Sequence, residues 1–277
     1  GLPIEIVHAP QTIGMDEKPA LAARQKKQSS LHIGLSLVKD GKADAFISAG
    51  NTGATLAIAT LQTLKRIRGI KRPALATRYP TAGNPLLLDV GANVDVKPAY
   101  LQQFGLMGSL YMQRVAGIAN PRVCIISNGA EAGKGNQLVR DSAELLAQLP
   151  INFIGGLEPD RFFAGGADVA VTDGFTGNIM LKATEGIVKA LLTRLKSEIL
   201  SSPRTKLGGL LARPAFAAVR QQLDPDTVGG APLLGVNGVV IVAHGGSSPL
   251  AIKNAIGQAR LAVQRGMIEA IKRGLGN

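Results

Sequence analysis

Five times along the chain, a short apolar run passes through a loop rich in Gly, Asn and Asp into a segment with helical periodicity. "DAFIS" leads through "AGNTGA" into "TLAIATLQTLKRI", and "LLLDV" leads through "GANVDV" into "KPAYLQQFGLMGSLYMQRV". "RVCIIS" leads through Asn128 to Ser142, "NGAEAGKGNQLVRDS", into "AELLAQL". "DVAVTD" passes through "GFTGN" into "IMLKATEGIVKALLTRLKSEIL", and "GVVIVAH" through "GGSSP" into "LAIKNAIGQARLAVQRGMIEAIKR". Strands alternating with helices predict an α/β fold, a mainly parallel sheet flanked by helices. In such a sheet the loops after the strands gather at one edge, where ligands bind. Asn51, Asn93, Lys134, Asn178 and His244 each lie in such a loop and are expected to share a crevice suited to a small anion.

The 277 residues are 45% hydrophobic, enough to bury a large core in one domain spanning 1–277. Only 4% are aromatic and none is Trp, so Ala, Val, Leu and Ile must fill that core, which suits helices on a buried sheet. No apolar run reaches about 18 residues, and "GLPIEIVHAPQTIG" lacks the charged start and apolar middle of a signal peptide. A cytoplasmic protein is expected. The one cysteine, Cys124, sits in apolar company inside a strand, which predicts a core residue rather than a nucleophile. A formal net charge of +12 calls for an anionic partner. Nucleic acid is disfavoured, because the basic residues are scattered, aromatics are scarce and no zinc-finger or RRM signature is present.

Lys134 stands between two glycines where a strand gives way to a helix. Gly129 and Gly133 are one residue too close for a nucleotide P-loop, and Gly135 occupies the place of the magnesium-binding hydroxyl. An anion cradle and a plain glycine turn with a solvated lysine both fit this segment alone. The pattern breaks over 201–230, "SSPRTKLGGLLARPAFAAVRQQLDPDTVGG", where Pro214 is expected to divide an inserted amphipathic helical hairpin into two pieces. Leu207, Leu210, Leu211 and Phe216 stand there among Arg204, Lys206, Arg213 and Arg220. Such a segment packs on the body or on another subunit, or lies on a membrane surface. A further basic stretch, "LKRIRGIKRP", carries Lys65, Arg66, Arg68, Lys71 and Arg72.

Taken together, "DAFISAGNTGA", "LLLDVGANVD", "SNGAEAGKGN", "VTDGFTGNIMLKATEG" and "GVVIVAHGGSS" resemble the phosphate acyltransferase (PlsX) family of bacterial phospholipid synthesis. The resemblance runs over essentially the whole chain. It implies an isopropylmalate-dehydrogenase-like α/β fold, a homodimer, attachment to the inner face of the membrane, and acyl phosphate made from acyl-acyl carrier protein and inorganic phosphate. Family members open with a strand and a "DAMGGD"-type loop, whereas this chain starts at "GLPIEIVHAP", so that strand and anion loop are expected to be missing.

Attack of phosphate on a thioester needs no activated Ser or Cys, because phosphate is largely ionised at neutral pH. No G-x-S-x-G elbow, H-E-x-x-H motif or paired-cysteine site appears, and neither a metal nor a cofactor is expected. Lys134 is the candidate to neutralise phosphate or the developing oxyanion, and Asn178 to donate an amide N–H to it, unless Asn178 merely caps a helix. The family's catalytic lysine and asparagine fall on these two positions. Asn51, Thr52, Asp89 and Asn93 are assigned to substrate positioning. Asp173 is expected to orient Lys134 or Asn178, or to form a turn. His244 is expected to contact phosphate, to protonate the leaving thiolate, or to be structural. Lys65, Arg66, Arg68, Lys71 and Arg72 form a dock for the acidic carrier protein or a solvated face. Leu207, Leu210, Leu211 and Phe216 are the candidate membrane contacts. The competing readings are an NAD(P)-dependent decarboxylating dehydrogenase of similar architecture, which needs clustered aspartates that the sequence does not show, and a non-catalytic protein binding acyl-thioester or anionic lipid.

Overall fold

The computed structural model describes residues 3–276 except Ala82, Ala132 and the side chain of Pro225. All five apolar runs form strands: β1 (Ala45–Ser48), β3 (Leu86–Leu88), β4 (Arg122–Ile126), β6 (Val169–Val171) and β8 (Val239–Val242). Three more strands lie outside the repeating pattern: β2 (Ala74–Arg78), β5 (Asn152–Leu157) and β7 (Ala231–Leu234). Together they make one sheet in the order β1-β8-β7-β2-β3-β6-β4-β5.

The sheet is parallel in its flanks and antiparallel in its centre. β1 runs with β8, and β3, β6, β4 and β5 run with one another. Both β7 and β2 are antiparallel to their neighbours. Three reversals therefore separate β8 from β3, and the expectation that all post-strand loops share one edge is corrected. The loops after β1 and β8 emerge at one edge, and those after β3, β4 and β6 at the other.

Helices cover both faces because every strand of the sheet centre is apolar on both sides. One face is packed by α4 (Pro98–Arg114), α5 (Gln137–Ala147), α10 (Pro249–Gln264) and α11 (Met267–Gly274), through Leu101, Phe104, Leu146, Ala259 and Ile271. The periodic run expected as one helix after β8 is two, because Gly266 adopts a left-handed φ of 62° between α10 and α11. The other face is packed by α1 (Pro19–Gln25), α2 (Ser30–Lys39), α3 (Thr52–Ala57) and α6 (Pro159–Phe163), through Ala23, Leu35, Ala54 and Phe162. Cys124 is fully buried on this face, and burial pushes its thiol up to about 12, as a core residue requires.

After β6 comes α7 (Gly174–Ile199), 26 residues or about 39 Å long, which leaves the body as an arm. Tyr79 pins its first turns: the phenol hydroxyl donates to Met180 O at 2.9 Å and also meets Thr184 Oγ1. Residues 201–230 return as α8 (Pro203–Leu211) and α9 (Arg213–Leu223), the two pieces expected there, with Pro214 in the first turn of the second. Neither α8 nor α9 buries any described residue.

Candidate active site

The loop after β3 is organised by one carboxylate. Asp89 is buried, and its oxygens accept five N–H bonds: from Leu75 N, Gly91 N and Ala92 N to Oδ1, and from Asn93 N and Asn93 Nδ2 to Oδ2, at 2.6–3.2 Å. Burial holds the Asp89 carboxyl above its ordinary pKa, although the bonds from Ala92, Asn93 and Leu75 favour the ionised form. Asn93 also donates to Pro73 O at 2.8 Å, and its own carbonyl accepts from Gly174 N at 2.8 Å. Asp89 and Asn93 thus brace the loop against β2 and against the start of α7.

The first turn of α7 comes so close that two of its positions must be Gly. A Cβ at Gly174 would stand 2.6 Å from Asn93 O, and one at Gly177 would stand 2.0 Å from Asp89 O. Asp173 caps the helix, accepting from Thr176 N and Thr176 Oγ1 at 2.8 Å each. The cap of α7 is therefore Asp173, and Asn178 lies in the second turn. Its side chain is exposed and has no hydrogen-bond partner among the described residues.

Asn178 lines a cavity of about 1160 Å³ that lies over the middle of the sheet. Thr52, Gly91, His244 and Ser247 share its wall with Leu75 and Thr77 of β2. β2 is five residues long, about 16 Å, so a cavity centred on it is reached from both edges. From this polar part the cavity runs along α7, past Leu181, Val188, Leu192, Leu195 and Ile199, to Phe216 and Leu223 of α9. Its rim carries Lys182, Lys189, Lys196 and Arg220. None of these α7 and α9 residues is a sequence candidate for the reaction; their spacing of three and four signals only an amphipathic helix.

His244 is exposed in the cavity wall, and its Nδ1 accepts from Gly246 N at 3.1 Å. A backbone N–H can only donate, so the neutral ring carries its proton on Nε2. Asn51 has a different task from its neighbour Thr52. Its Oδ1 accepts from Ala54 N at 3.0 Å, capping α3, while Nδ2 donates to Gly14 O, Met15 O and Glu17 O at 3.0–3.4 Å. The carboxamide is fully engaged with the chain's own backbone.

Lys134 lies at the same sheet edge as Asn178, on the loop between β4 and α5. Asn136 caps α5 through Val139 N at 2.9 Å, and Asn128 Oδ1 accepts from Gly135 N at 2.9 Å, so both asparagines shape the turn. The lysine is exposed, and its ammonium has no partner among the described residues. It is not in the cavity wall. The expected crevice of five residues is therefore corrected: Asn178 and His244 line one cavity, Asn51 and Asn93 support it, and Lys134 stands outside it.

A family model described as "Fatty acid synthesis protein" matches residues 2–270. The phosphate acyltransferase of Elusimicrobium minutum is 50% identical over 273 residues, covering 98% of this chain and 79% of that protein. The phosphate acyltransferase of Heliobacterium modesticaldum is 51% identical over 270 residues, covering 97% and 80%. The chain belongs to the phosphate acyltransferase family. Solved structures carry its architecture further. A phosphotransacetylase from Streptococcus pyogenes matches with a TM-score of 0.54 at 20% identity, over 88% of this chain and 68% of that one. A branched-chain phosphotransacylase from Enterococcus faecalis matches at 0.52 and 15%, over 88% and 79%. At such identities the likeness is one of fold, and this member of the phosphate acyltransferase family shares that fold.

Proposed function

We propose that this enzyme transfers the acyl group of acyl-acyl carrier protein to inorganic phosphate, giving acyl phosphate for bacterial glycerophospholipid synthesis. The observation that carries this reading is the cavity: a polar end bearing Asn178, Thr52 and His244 opens into a long apolar channel along α7. That shape fits a reacting carbonyl with a fatty chain behind it.

In the proposed reaction a phosphate oxygen attacks the thioester carbonyl carbon, the carbonyl oxygen becomes an oxyanion, and the carbon–sulfur bond then breaks. Asn178 donates its free amide N–H to the oxyanion. Lys134, on the loop after β4 at the same sheet edge, neutralises the phosphate. His244 donates its Nε2–H as a hydrogen bond to the departing sulfur, which leaves as the thiolate. Thr52 positions the substrate, while Asp89, Asn93, Asn51 and Asp173 hold the elements from which these groups project.

The basic stretch Lys65, Arg66, Arg68, Lys71 and Arg72 receives the acidic carrier protein. The arm serves two further contacts. Along α7, Phe175, Ile179, Ala183, Ile187, Leu191 and Leu195 recur every fourth residue, and the five large ones are exposed; such a ridge suits a second copy of the chain. On α8, Leu207, Leu210 and Leu211 form one exposed apolar face near Arg204 and Lys206, which suits an anionic membrane surface, with Phe216 of α9 partly turned to the cavity. No described helix is long and apolar enough to cross a membrane.

The test is to incubate the enzyme with acyl-carrier protein and labelled phosphate and follow acyl phosphate and free thiol. Lys134→Ala should lower turnover about 100-fold, and Asn178→Asp should be worse than Asn178→Ala because it sets a negative charge beside the oxyanion. Near-wild-type turnover in Lys134→Ala removes the lysine from the mechanism.

A further inference from the structure

A second recess, of about 440 Å³, lies beside the amino end of β2, lined by Thr60, Leu61, Arg66, Lys71, Arg72 and Tyr100. The loop that carries its cations is held firmly. The helical run from Thr52 ends in a π-turn over Ile58–Gln62, where Thr63 N and Oγ1 both donate to Ile58 O, at 2.9 and 3.0 Å. Ile67 and Ile70 then plug the loop into the core. Ile67 N donates to Gly235 O at 3.0 Å, and Asn237 Nδ2 to Arg66 O at 2.9 Å. From α4, Gln103 accepts from Lys71 N and donates to Gly69 O, both at 2.8 Å. Arg66 Nη1 donates across the loop to Lys71 O.

A solvated face of independent, mobile side chains would not need this bracing. Arg66, Lys71 and Arg72 project from it into one concavity, and none has a carboxylate partner among the described residues. Three uncompensated cations held together repel one another, and a bound anion removes that cost. Two planar guanidinium forks, one ammonium and the hydroxyls of Thr60 and Tyr100 match the tetrahedral oxygens of a phosphate group. The recess also has room for far more than a free phosphate ion.

Its position relative to the cavity identifies what the phosphate is attached to. Thr52, in the cavity wall, and Thr60, in the recess, mark the ends of one helical run about 12 Å long. Arg72 in the recess lies about 10 Å along the chain from Leu75 in the cavity. The loop after β3 joins them, since Asn93 bonds to Pro73 O beside Arg72 while Gly91 lines the cavity. We propose that the recess binds the phosphate at the head of the pantetheine arm of the thioester donor, with the arm laid past Gly91 so that the thioester reaches Asn178. This rests on the acyl-transfer reading above.

The test compares an acyl-pantetheine thioester with and without its 4′-phosphate, on the full chain and on Lys71→Ala/Arg72→Ala. Both altered side chains are exposed, and a thermal melt checks the fold. For the wild type, the KM of the unphosphorylated thioester should exceed that of the phosphorylated one by about tenfold or more, and in the variant the ratio should fall toward one. Equal KM values in the wild type, or an unchanged ratio in the variant, overturn the proposal. So does a variant whose KM rises for inorganic phosphate instead. Calorimetric titration with pantetheine 4′-phosphate needs no turnover: binding to the wild type and loss in the variant support the site even if acyl transfer fails, and no binding to the wild type overturns it.

Discussion

Replacing Gly177 with Ala would test whether the close approach of α7 to the Asp89 loop sets the reacting geometry. A Cβ at this position would lie 2.0 Å from Asp89 O, against an ordinary contact of at least 3.4 Å, so the helix start must move by about 1.4 Å. Neither side can yield cheaply, because the Asp89 loop is tied by five N–H bonds and α7 by the Tyr79 hydroxyl. Asn178 is the next residue and must move with the helix. A displacement of about 1 Å in a reacting group costs on the order of 100-fold in rate, and overpacking costs roughly 1–3 kcal/mol of stability. Gly177→Ala should therefore lower kcat about 100-fold and lower the Tm. Gly257→Ala is the matched control. Its Cβ would meet nothing within 4 Å in the middle of α10, so it should raise stability by about 0.5–1 kcal/mol and leave kcat alone. Steady-state kinetics and thermal melts of both variants decide the matter. Wild-type kcat and Tm in Gly177→Ala would refute the argument that this contact positions Asn178.

Cys124→Ser should retain acyl transfer, and the wild-type thiol should react with a thiol reagent only on unfolding, because burial pushes its pKa up to about 12; loss of transfer in the variant would make direct attack by phosphate wrong. Leu207→Glu with Leu211→Glu should abolish co-sedimentation with anionic liposomes while turnover in solution persists, since each inserted leucine contributes about 1.5–3 kcal/mol; persistent binding would mean α8 does not meet the membrane. Asp168 gains three hydrogen bonds from Arg122 at 2.8–3.1 Å, and these outweigh its burial to hold the carboxyl below its ordinary pKa. A depressed carboxylate stabilises above its unfolded pKa and is lost as pH falls through the folded one. Asp168→Asn should thus cost about 1 kcal/mol or less at neutral pH and nothing once the wild-type carboxyl is protonated, measured by denaturant melts across the acid range; a cost that persists in acid would assign the effect to packing.

The alternation of strand and helix was legible in the sequence because it is local chemistry: apolar runs, glycine-rich turns and helical spacing state it residue by residue. So were the break at Pro214 and the buried setting of Cys124. What the sequence left open is strand direction. "ALATR" and "APLL" carry no mark of their orientation, yet β2 and β7, placed between the two parallel flanks, turn one expected edge of loops into two. The same holds for the polar loop residues. Asn51, Asn93 and Asn178 read alike as amides after strands, but the first two are consumed by backbone groups 20 to 37 residues away, at Pro73 and at Gly14, Met15 and Glu17. Asn178 stays free because Asp173 already caps its helix. Which hydrogen-bonding group is left for a substrate depends on partners distant in the chain, and only the tertiary structure brings those partners together.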